Sequence, residues 1–314
     1  MRNVCFVLLA IFLCRAARAE DVAPLYDLRV RLRVGDAYSV RHNGEVMGAT
    51  VVNGQKNVSS VKGDTKYEIR VLNTEKDAAK VRLTFRSDET RGTSGGVTVY
   101  APFSAVIEKP TRKTSNGDAI RGQSVYITIS SIGDVTGDIL EPPFAALRRY
   151  QVRTTEEGTR GLRELAAFEL KRQTLQNFCL FIGARPLQPV AVGTSWRGQF
   201  ALKSSYRTRR FEVSYTLTKV EKDVASLATS TRELPENSRQ NAMSNMKEKS
   251  WNAQNGTLQI ALKNGWPLRA EENGQIFSQL QTVENKTTRN VLTTYGKSRS
   301  QVETTALSSL AAPR

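Results

Sequence analysis

The stretch Gly35-Asp36-Ala37-Tyr38 recurs in the second half of the chain as Gly193-Thr194-Ser195-Trp196. A second stretch, Glu75-Lys76-Asp77, recurs as Glu221-Lys222-Asp223 between similar apolar residues. Both halves therefore have the composition of the same strand-loop-strand unit. A doubled unit of this kind predicts a β scaffold, and it identifies no reaction.

Alternating side chains lead into the first copy. Apolar and basic residues alternate strictly over residues 28–34, which is the pattern of a half-buried strand. The apolar set is expected to face the core: Leu28, Val30, Leu32 and Val34. The basic set is expected to form a ladder on the wet face: Arg29, Arg31 and Arg33. Water tolerates such a ladder, and a polyanionic ligand stabilises it.

The same alternation recurs in both halves, at residues 66–71, 81–85, 123–131, 211–217 and 258–262. Because these segments alternate rather than run continuously apolar, antiparallel sheets with one wet face are expected. Between the halves, Pro142-Pro143 precedes a predicted short helix at 144–150. Apolar residues at helical spacing then predict a longer helix over 162–182, ended by Gly183.

The predicted fold is mainly β (α+β), with two similar antiparallel, curved β-sheet halves and a central helical segment. Residues 87–96 and 110–117 are expected to be loops, and residues 233–250 a polar loop or a surface helix. The predicted divisions are a signal peptide at 1–19, a first β-rich half at 20–140, a helical connector at 141–185, a second β-rich half at 186–297 and a disordered tail at 298–314.

The N-terminus has the three parts of a secretory signal peptide. A basic start is followed by an apolar run at residues 4–14 and by Ala17-Arg18-Ala19, which predicts cleavage after Ala19. The run is too short to span a bilayer, so no transmembrane segment is expected after cleavage. The alternative is an uncleaved anchor, because Arg15 and Arg18 directly follow the run. The predicted location is periplasmic or secreted.

Removal of the signal peptide takes away three arginines and no acid, which leaves 43 basic and 30 acidic residues and a net charge of +13. Outside the cytoplasm the available polyanions are anionic lipid, polysaccharide and wall polymer, so these are the expected partners rather than nucleic acid. The alternative is that the basic residues form a solvated surface without a specific partner.

Cysteine and histidine usage restricts the possible chemistry. Cys179 is the one cysteine that follows the signal peptide, and its apolar setting predicts a core thiol rather than a nucleophile. His42 is the single histidine, so zinc sites of ordinary composition and most histidine-based catalysis are disfavoured. Gly-rich nucleotide-binding motifs are lacking. No catalytic residue, metal site or cofactor is predicted, and the protein is not expected to be an enzyme.

The first motif, through Gly35-Asp36-Ala37-Tyr38, and the later one, residues 187–196 ending in Gly-Thr-Ser-Trp, are arranged as in a known family. The chain resembles a family of uncharacterised secreted bacterial proteins with a duplicated β-rich unit. The resemblance covers most of the mature chain and implies export and a β-rich architecture. It implies no activity and no catalytic residue.

Three function classes follow. The first is an exported, non-enzymatic binding or structural protein of the cell envelope that contacts anionic material through a basic face: Arg29, Arg31, Arg33, Arg207, Arg209 and Arg210. The second is a carrier of a lipid-like apolar ligand in a β half-barrel cavity, lined by residues such as Phe178, Phe211, Tyr215 and Ile260. The third is an enzyme that uses a pair of acids such as Asp88-Glu89.

We expect the exported protein to begin at Glu20, because the small residues at positions 17 and 19 satisfy signal peptidase. Intact-mass measurement and N-terminal sequencing of protein recovered from the periplasm or the medium would check this. A full-length chain that stays in the membrane fraction would contradict cleavage and favour the anchor.

Overall fold

The structure is a computed structural model that describes residues 23–52, 55–94, 121–137, 178–203, 208–234, 246–284 and 287–307. These residues contain eleven strands and a short α-helical segment at residues 178–182. The strands are β1 (Ala37–Val52), β2 (Gln55–Glu75), β3 (Ala78–Ser94), β4 (Ser124–Ser130), β5 (Val135–Gly137), β6 (Ser195–Lys203), β7 (Thr208–Glu221), β8 (Val224–Leu234), β9 (Met246–Ala261), β10 (Pro267–Glu284) and β11 (Thr287–Leu307).

All eleven strands belong to one antiparallel sheet, in the order β5-β4-β3-β2-β1-β11-β10-β9-β8-β7-β6. Strands that follow one another in sequence are paired, except for β5 and β6, which form the two edges of the sheet. In the centre, β1 pairs with β11 along its whole length, from Ala37 opposite Leu307 to Val52 opposite Leu292. The sheet therefore consists of two meanders that are joined in its centre by the first and the last strand.

The sheet is strongly curved at one end. The Val30 N–H donates to the carbonyl of Ser131 at 2.7 Å, and the Arg31 N–H donates to that of Asn264 at 2.8 Å. Ser131 follows β4 and Asn264 precedes β10, and five inter-strand spacings, about 24 Å, separate these strands in a flat sheet. Because two consecutive residues reach both turns, the two meanders, β1–β5 and β6–β11, must fold towards each other at this end. These two meanders are called the wings of the sheet below.

The core fills the space between the wings. Phe178 lies edge-on to Tyr67, with ring centroids 6.2 Å apart, and is tilted against Trp266, also at 6.2 Å. Trp266 stacks on Tyr38 at 4.3 Å. Alternate residues of the strands in both wings join the same buried cluster, with Leu28 and Val30 from the N-terminal segment. One core therefore serves the whole curved end.

A buried cation ties the parts of this end together. Arg185 is 4% exposed, and its guanidinium donates to the carbonyls of Gly183 and Gly265 at 3.4 Å each. Its backbone N–H donates to the carbonyl of Ile132 at 2.8 Å. Burial lowers the pKa of Arg185 to about 10, so the group remains cationic at neutral pH. It forms no ion pair within the described ranges, where its hydrogen-bond acceptors are the two backbone carbonyls.

The repeated stretches have the same local geometry. The Gly35 N–H donates to the carbonyl of Val71 at 3.1 Å, and the Gly193 N–H donates to that of Leu217 at 2.7 Å. The two glycines have φ values of 90° and 92°. The pairing of β2 with β3 is irregular directly after Val71, and that of β7 with β8 directly after Leu217. The strands nevertheless form a single sheet, so the predicted division into two separate halves is not confirmed.

The prediction of a strand at residues 28–34 is wrong. The segment has no strand conformation, because its backbone hydrogen bonds go to turns of both wings rather than to one neighbouring strand. Burial follows the predicted alternation at Leu28 and Val30 and then fails, since Val34 is 61% exposed. Apolar residues at every second position therefore indicated burial correctly and strand pairing incorrectly.

Three further predictions require correction. The predicted disordered tail is strand as far as Leu307, because residues 298–307 pair with β1 and residues 298–303 also pair with β10. The predicted loop at 87–96 is part of β3 as far as Ser94, and residues 246–250 begin β9. The predicted central helix is seen only at residues 178–182, and the rest of it lies outside the described residues.

Gly265→Ala should destabilise the fold far more than Gly193→Ala. Both positions have positive φ, so either alanine costs about 1–2 kcal/mol of backbone strain. A Cβ at Gly265 also collides with the carbonyl of Arg29, whereas a Cβ at Gly193 meets nothing within 4 Å. The collision adds about 2 kcal/mol. Urea denaturation would measure the free energy of unfolding of each variant. Equal decreases in the two variants would contradict the bridging role of residues 28–31.

Candidate functional site

The face of the sheet opposite the core, here called the outer face, is open beyond the curved end. Tyr38 and Val40 point into the core, so Asn43, Glu45 and Met47 of β1 lie on the outer face. Cross-strand partners share a face, and the register of β1 with β2 and β11 is uninterrupted. Residues of four strands can therefore be assigned to one continuous outer surface.

An apolar depression of about 430 Å³ lies on this surface, here called the apolar lobe. Across the strands, Val58 pairs with Ala49, Ala49 with Tyr295, and Tyr295 with Phe277. Met47 borders this row, and the exposed fractions of Met47, Val58 and Tyr295 are 52%, 60% and 41%. No acidic residue lines the apolar lobe. Exposed apolar side chains from three strands therefore lie side by side on this surface.

A polar depression of about 460 Å³, here called the polar lobe, adjoins it along the same strands. Its lining includes Asn43, Glu45, Lys62, Asp64, Arg299 and Gln301. Glu45 and Met47 are two residues apart on β1, so the two lobes are separated by about 7 Å along the strands. Together they form the outer-face groove, which is polar at one end and apolar at the other.

The charges of the groove are unequally paired. Asp64 accepts two hydrogen bonds from Arg41, at 3.1 and 2.7 Å, and Glu45 pairs with Lys62 at 3.0 Å. Three cations beside the apolar lobe have no carboxylate partner in the part of the chain that the structure describes: Lys56, Lys297 and Arg299. The Lys56 ammonium lies 5.5 Å from the centroid of the Tyr295 ring. The groove therefore offers free positive charge next to apolar surface.

Glycine backbone lies under both lobes, although a Cβ at Gly44 or Gly48 would point to the core side of the sheet. Gly44 pairs with Gly63 under the polar lobe, and Gly48 pairs with Gly296 under the apolar lobe. A Cβ at Gly48 would lie 3.0 Å from the carbonyl oxygen of Tyr295. Glycines inside strands often mark a close approach of a ligand or another backbone. The sequence analysis missed the groove, and these strand-interior glycines were the signal that could have located it.

The six predicted arginines do not come together as one basic face. Asp27 pairs with Arg29 at 2.8 Å and with Arg31 at 3.5 Å, and Arg31 also donates to the carbonyl of Leu262 at 2.8 Å. Two members of the ladder are thus engaged within the fold, and Arg33 is exposed.

The second group of arginines lies far from the first. Arg207 is outside the described residues, Arg209 pairs with Leu202, and Arg210 is exposed. Arg210 and Glu221 stand eleven residues apart on β7, about 36 Å along the strand. The Glu221 end of β7 lies near the N-terminal segment, since Asp223 contacts Leu262. The two arginine groups therefore occupy opposite ends of the sheet.

The predicted apolar cavity is not at its expected place. Phe178, Phe211, Tyr215 and Ile260 are all buried in packed surroundings. A void lined by Tyr215, Thr229 and Glu272 has a volume of only about 10 Å³. The volume that a ligand would need is filled by core side chains, in the part of the chain that the structure places.

Glu272 is the one carboxylate that lines this void. It forms neither an ion pair nor a hydrogen bond with any described residue, and burial raises its pKa. No second carboxylate converges on it among the lining residues, so the void lacks the acid pair of a hydrolase. Burial also raises the pKa of Cys179, to about 11, which keeps the thiol protonated.

Residues 169–267 match the model of a family of unknown function (DUF6263). The match covers β6 to β9, and no activity is assigned to the family. The predicted similarity to an uncharacterised family is therefore confirmed. The sequence matches none of the curated proteins. Among the described residues, no helix is both long and apolar enough to cross a membrane.

Solved structures show only distant likeness. A lipovitellin structure that describes lipid-protein interactions is 13% identical, with a TM-score of 0.46. The alignment covers 90% of this chain and 26% of that one, so the protein spans about a quarter of the lipovitellin chain. An outer membrane channel from Pseudomonas putida F1 is 7% identical over 88% of this chain and 98% of the channel, with a TM-score of 0.21. The Pseudomonas aeruginosa protein OccK7 is 7% identical over 87% of this chain and 100% of its own, with a TM-score of 0.23.

Glu272→Gln should stabilise the protein at neutral pH. The folded-state pKa of Glu272 is raised, so its ionised form opposes folding above that pKa, and this penalty vanishes as the pH falls below the ordinary value of 4.5. Melting temperatures across this pH range should show a gain that disappears in acid. Glu271→Gln is the control, because Glu271 pairs with Arg269 at 2.6 Å and should give no gain. A gain that persists in acid would contradict the assignment.

Proposed function

We propose that the protein is an exported, non-enzymatic binding protein of the cell envelope whose outer-face groove holds an anionic amphiphile, a lipid with an acyl chain and a negatively charged headgroup. The acyl chain lies on the apolar lobe, and the headgroup lies beside Lys297 and Arg299. The observation that carries this proposal is the juxtaposition of exposed apolar surface with cations that have no carboxylate partner among the described residues.

The size of the apolar lobe suits such a ligand. Its volume of about 430 Å³ falls within the range of small-molecule sites. On β1 the lobe is lined from Met47 to Ala49, about 7 Å along the strand, which is about half the length of an acyl chain, itself half of the ≈ 30 Å hydrocarbon core of a bilayer. Each methylene group that is removed from water contributes about 0.8 kcal/mol, so a few of them give measurable affinity.

The charge of the lobe selects the headgroup. Lys297 and Arg299 stand two residues apart on β11, about 7 Å along the strand, and both are exposed. A negatively charged headgroup at this edge is attracted by both cations. A zwitterionic headgroup is attracted less, because its own positive charge is repelled by them. Because these charges face water, the attraction is screened as salt increases.

We expect short-chain phosphatidylglycerol, below its micelle concentration, to bind the mature protein more tightly than short-chain phosphatidylcholine. Isothermal titration would measure both, at low and at high salt. Lys297→Glu with Arg299→Glu should weaken phosphatidylglycerol binding about thirtyfold or more, because each cation contributes about 1 kcal/mol. Met47→Gln with Val58→Thr should weaken both lipids, since it removes apolar contact at nearly constant shape.

The matched control is Arg33→Glu with Arg210→Glu, which makes the same change in net charge at the two predicted arginine groups. It should leave binding nearly unchanged. If this control abolishes binding while the Lys297 and Arg299 variant does not, the arginine groups are the anion-binding surface and the groove is not. Absence of lipid binding in every titration would overturn the proposal.

A further inference from the structure

We infer that the polar lobe recognises a hydroxylated headgroup, so that the ligand is a lipid whose phosphate is esterified to a polyol or a sugar. The inference rests on the proposed function for the position of the acyl chain and adds the chemical class of the headgroup. It follows from the mixture of donors and acceptors that lines the polar lobe beyond Arg299.

The polar lobe is suited to hydroxyl groups. Asn43 and Gln301 are cross-strand partners, and a carboxamide both donates and accepts. The Gln301 amide donates once to Glu303, at 2.8 Å, which leaves its carbonyl oxygen and a second N–H for a ligand. The carboxylates of Glu45 and Asp64 are paired with Lys62 and Arg41 and keep further acceptor capacity. Hydroxyl groups donate and accept in the same way, so a vicinal diol can use both kinds of partner.

Other headgroups fit the polar lobe less well. A bare phosphate or carboxylate only accepts hydrogen bonds, and it would face the carboxylates of Glu45 and Asp64. A quaternary ammonium binds to aromatic faces, and no aromatic side chain is among the residues that line the polar lobe. A neutral hydroxylated group avoids both penalties.

The position of the lobes orders the ligand along the strands. Arg299 pairs with Glu45 in register, and Lys297 pairs with Met47. Arg299 and Lys297 therefore stand at the boundary between the polar and the apolar lobe. A phosphate at this boundary places its acyl chain over Met47 and Tyr295 and its polyol over Asn43 and Gln301. A lipid has these three parts in the same order.

A comparison of phosphatidylglycerol with phosphatidylmethanol of equal chain length distinguishes the effect of the headgroup hydroxyls from that of the phosphate charge. Both lipids carry one phosphate charge, and only phosphatidylglycerol has free hydroxyls. We expect the wild-type protein to bind phosphatidylglycerol about tenfold more tightly, because loss of a hydrogen-bonding partner at a polar site costs about this much. Asn43→Ala with Gln301→Ala should remove the preference and leave phosphatidylmethanol binding unchanged. The unchanged affinity for phosphatidylmethanol also shows that the variant is folded.

Glycerol 3-phosphate without an acyl chain identifies the source of the headgroup. It should bind at least a hundredfold more weakly than phosphatidylglycerol, because it lacks the apolar contact. Equally tight binding would mean that a soluble polyol phosphate or its polymer is the ligand, and the lipid assignment would be overturned.

The two proposals fail differently. If both lipids bind with equal affinity and Asn43→Ala with Gln301→Ala has no effect, the headgroup inference is wrong while the groove remains a lipid site. If neither lipid binds, the proposed function itself is wrong. A preference that survives the double variant would assign hydroxyl recognition to other residues and would also overturn the inference.

Discussion

Two consecutive backbone hydrogen bonds, from Val30 and Arg31, hold the curved end of the sheet together. They draw the β4–β5 turn and the β9–β10 turn onto one short segment, although the strands involved are distant in the sheet. The aromatic cluster around Trp266 and the carbonyl-bound Arg185 become buried only in this closed arrangement. Opening this end would separate the Arg185 guanidinium from the carbonyls of Gly183 and Gly265 and expose the aromatic cluster to water, so the closed arrangement is costly to undo.

Curvature at one end determines what the other end can do. The core residues lie near the turns at Glu75, Asp134 and Glu221, whereas β1, β2, β10 and β11 continue well beyond them. In this extension the outer face has no packing partner within the described ranges. Ion pairs neutralise the carboxylates of the groove and leave a surplus of positive charge. The packed, closed end thus supports an open surface that is polar in one part and apolar in the next.

The alternation of apolar residues predicted most of the core strands, because burial on one face forces a period of two. Tyr67, Ile69, Leu83 and Leu217 are buried as expected. The extension was missed because its strands are rich in Ser, Thr, Gly and charged residues, and both of their faces are partly wet. β11 is the clearest case, since residues 298–307 have the composition of a disordered tail and are held by β1, with β10 on the other side as far as Glu303. Such pairing is tertiary and leaves little trace in local composition.

The groove was unpredictable for a related reason. Met47, Val58 and Tyr295 come from three separate strands, and only the register of β1 with β2 and β11 makes them neighbours. The arginine ladder was predicted from adjacency in sequence, yet Asp27 neutralises part of it locally. Charge that is adjacent in the sequence therefore did not indicate which cations lie free beside one another in the fold.

The pairing of β1 with β11 has a consequence for biogenesis. The first and the last of the described strands pair in the centre of the sheet, so this pairing can form only after β11 has emerged from the ribosome. Contacts of such long sequence separation form slowly. This delay suits the export proposed above, because a chain that passes through a translocation channel must stay unfolded until it reaches the far side.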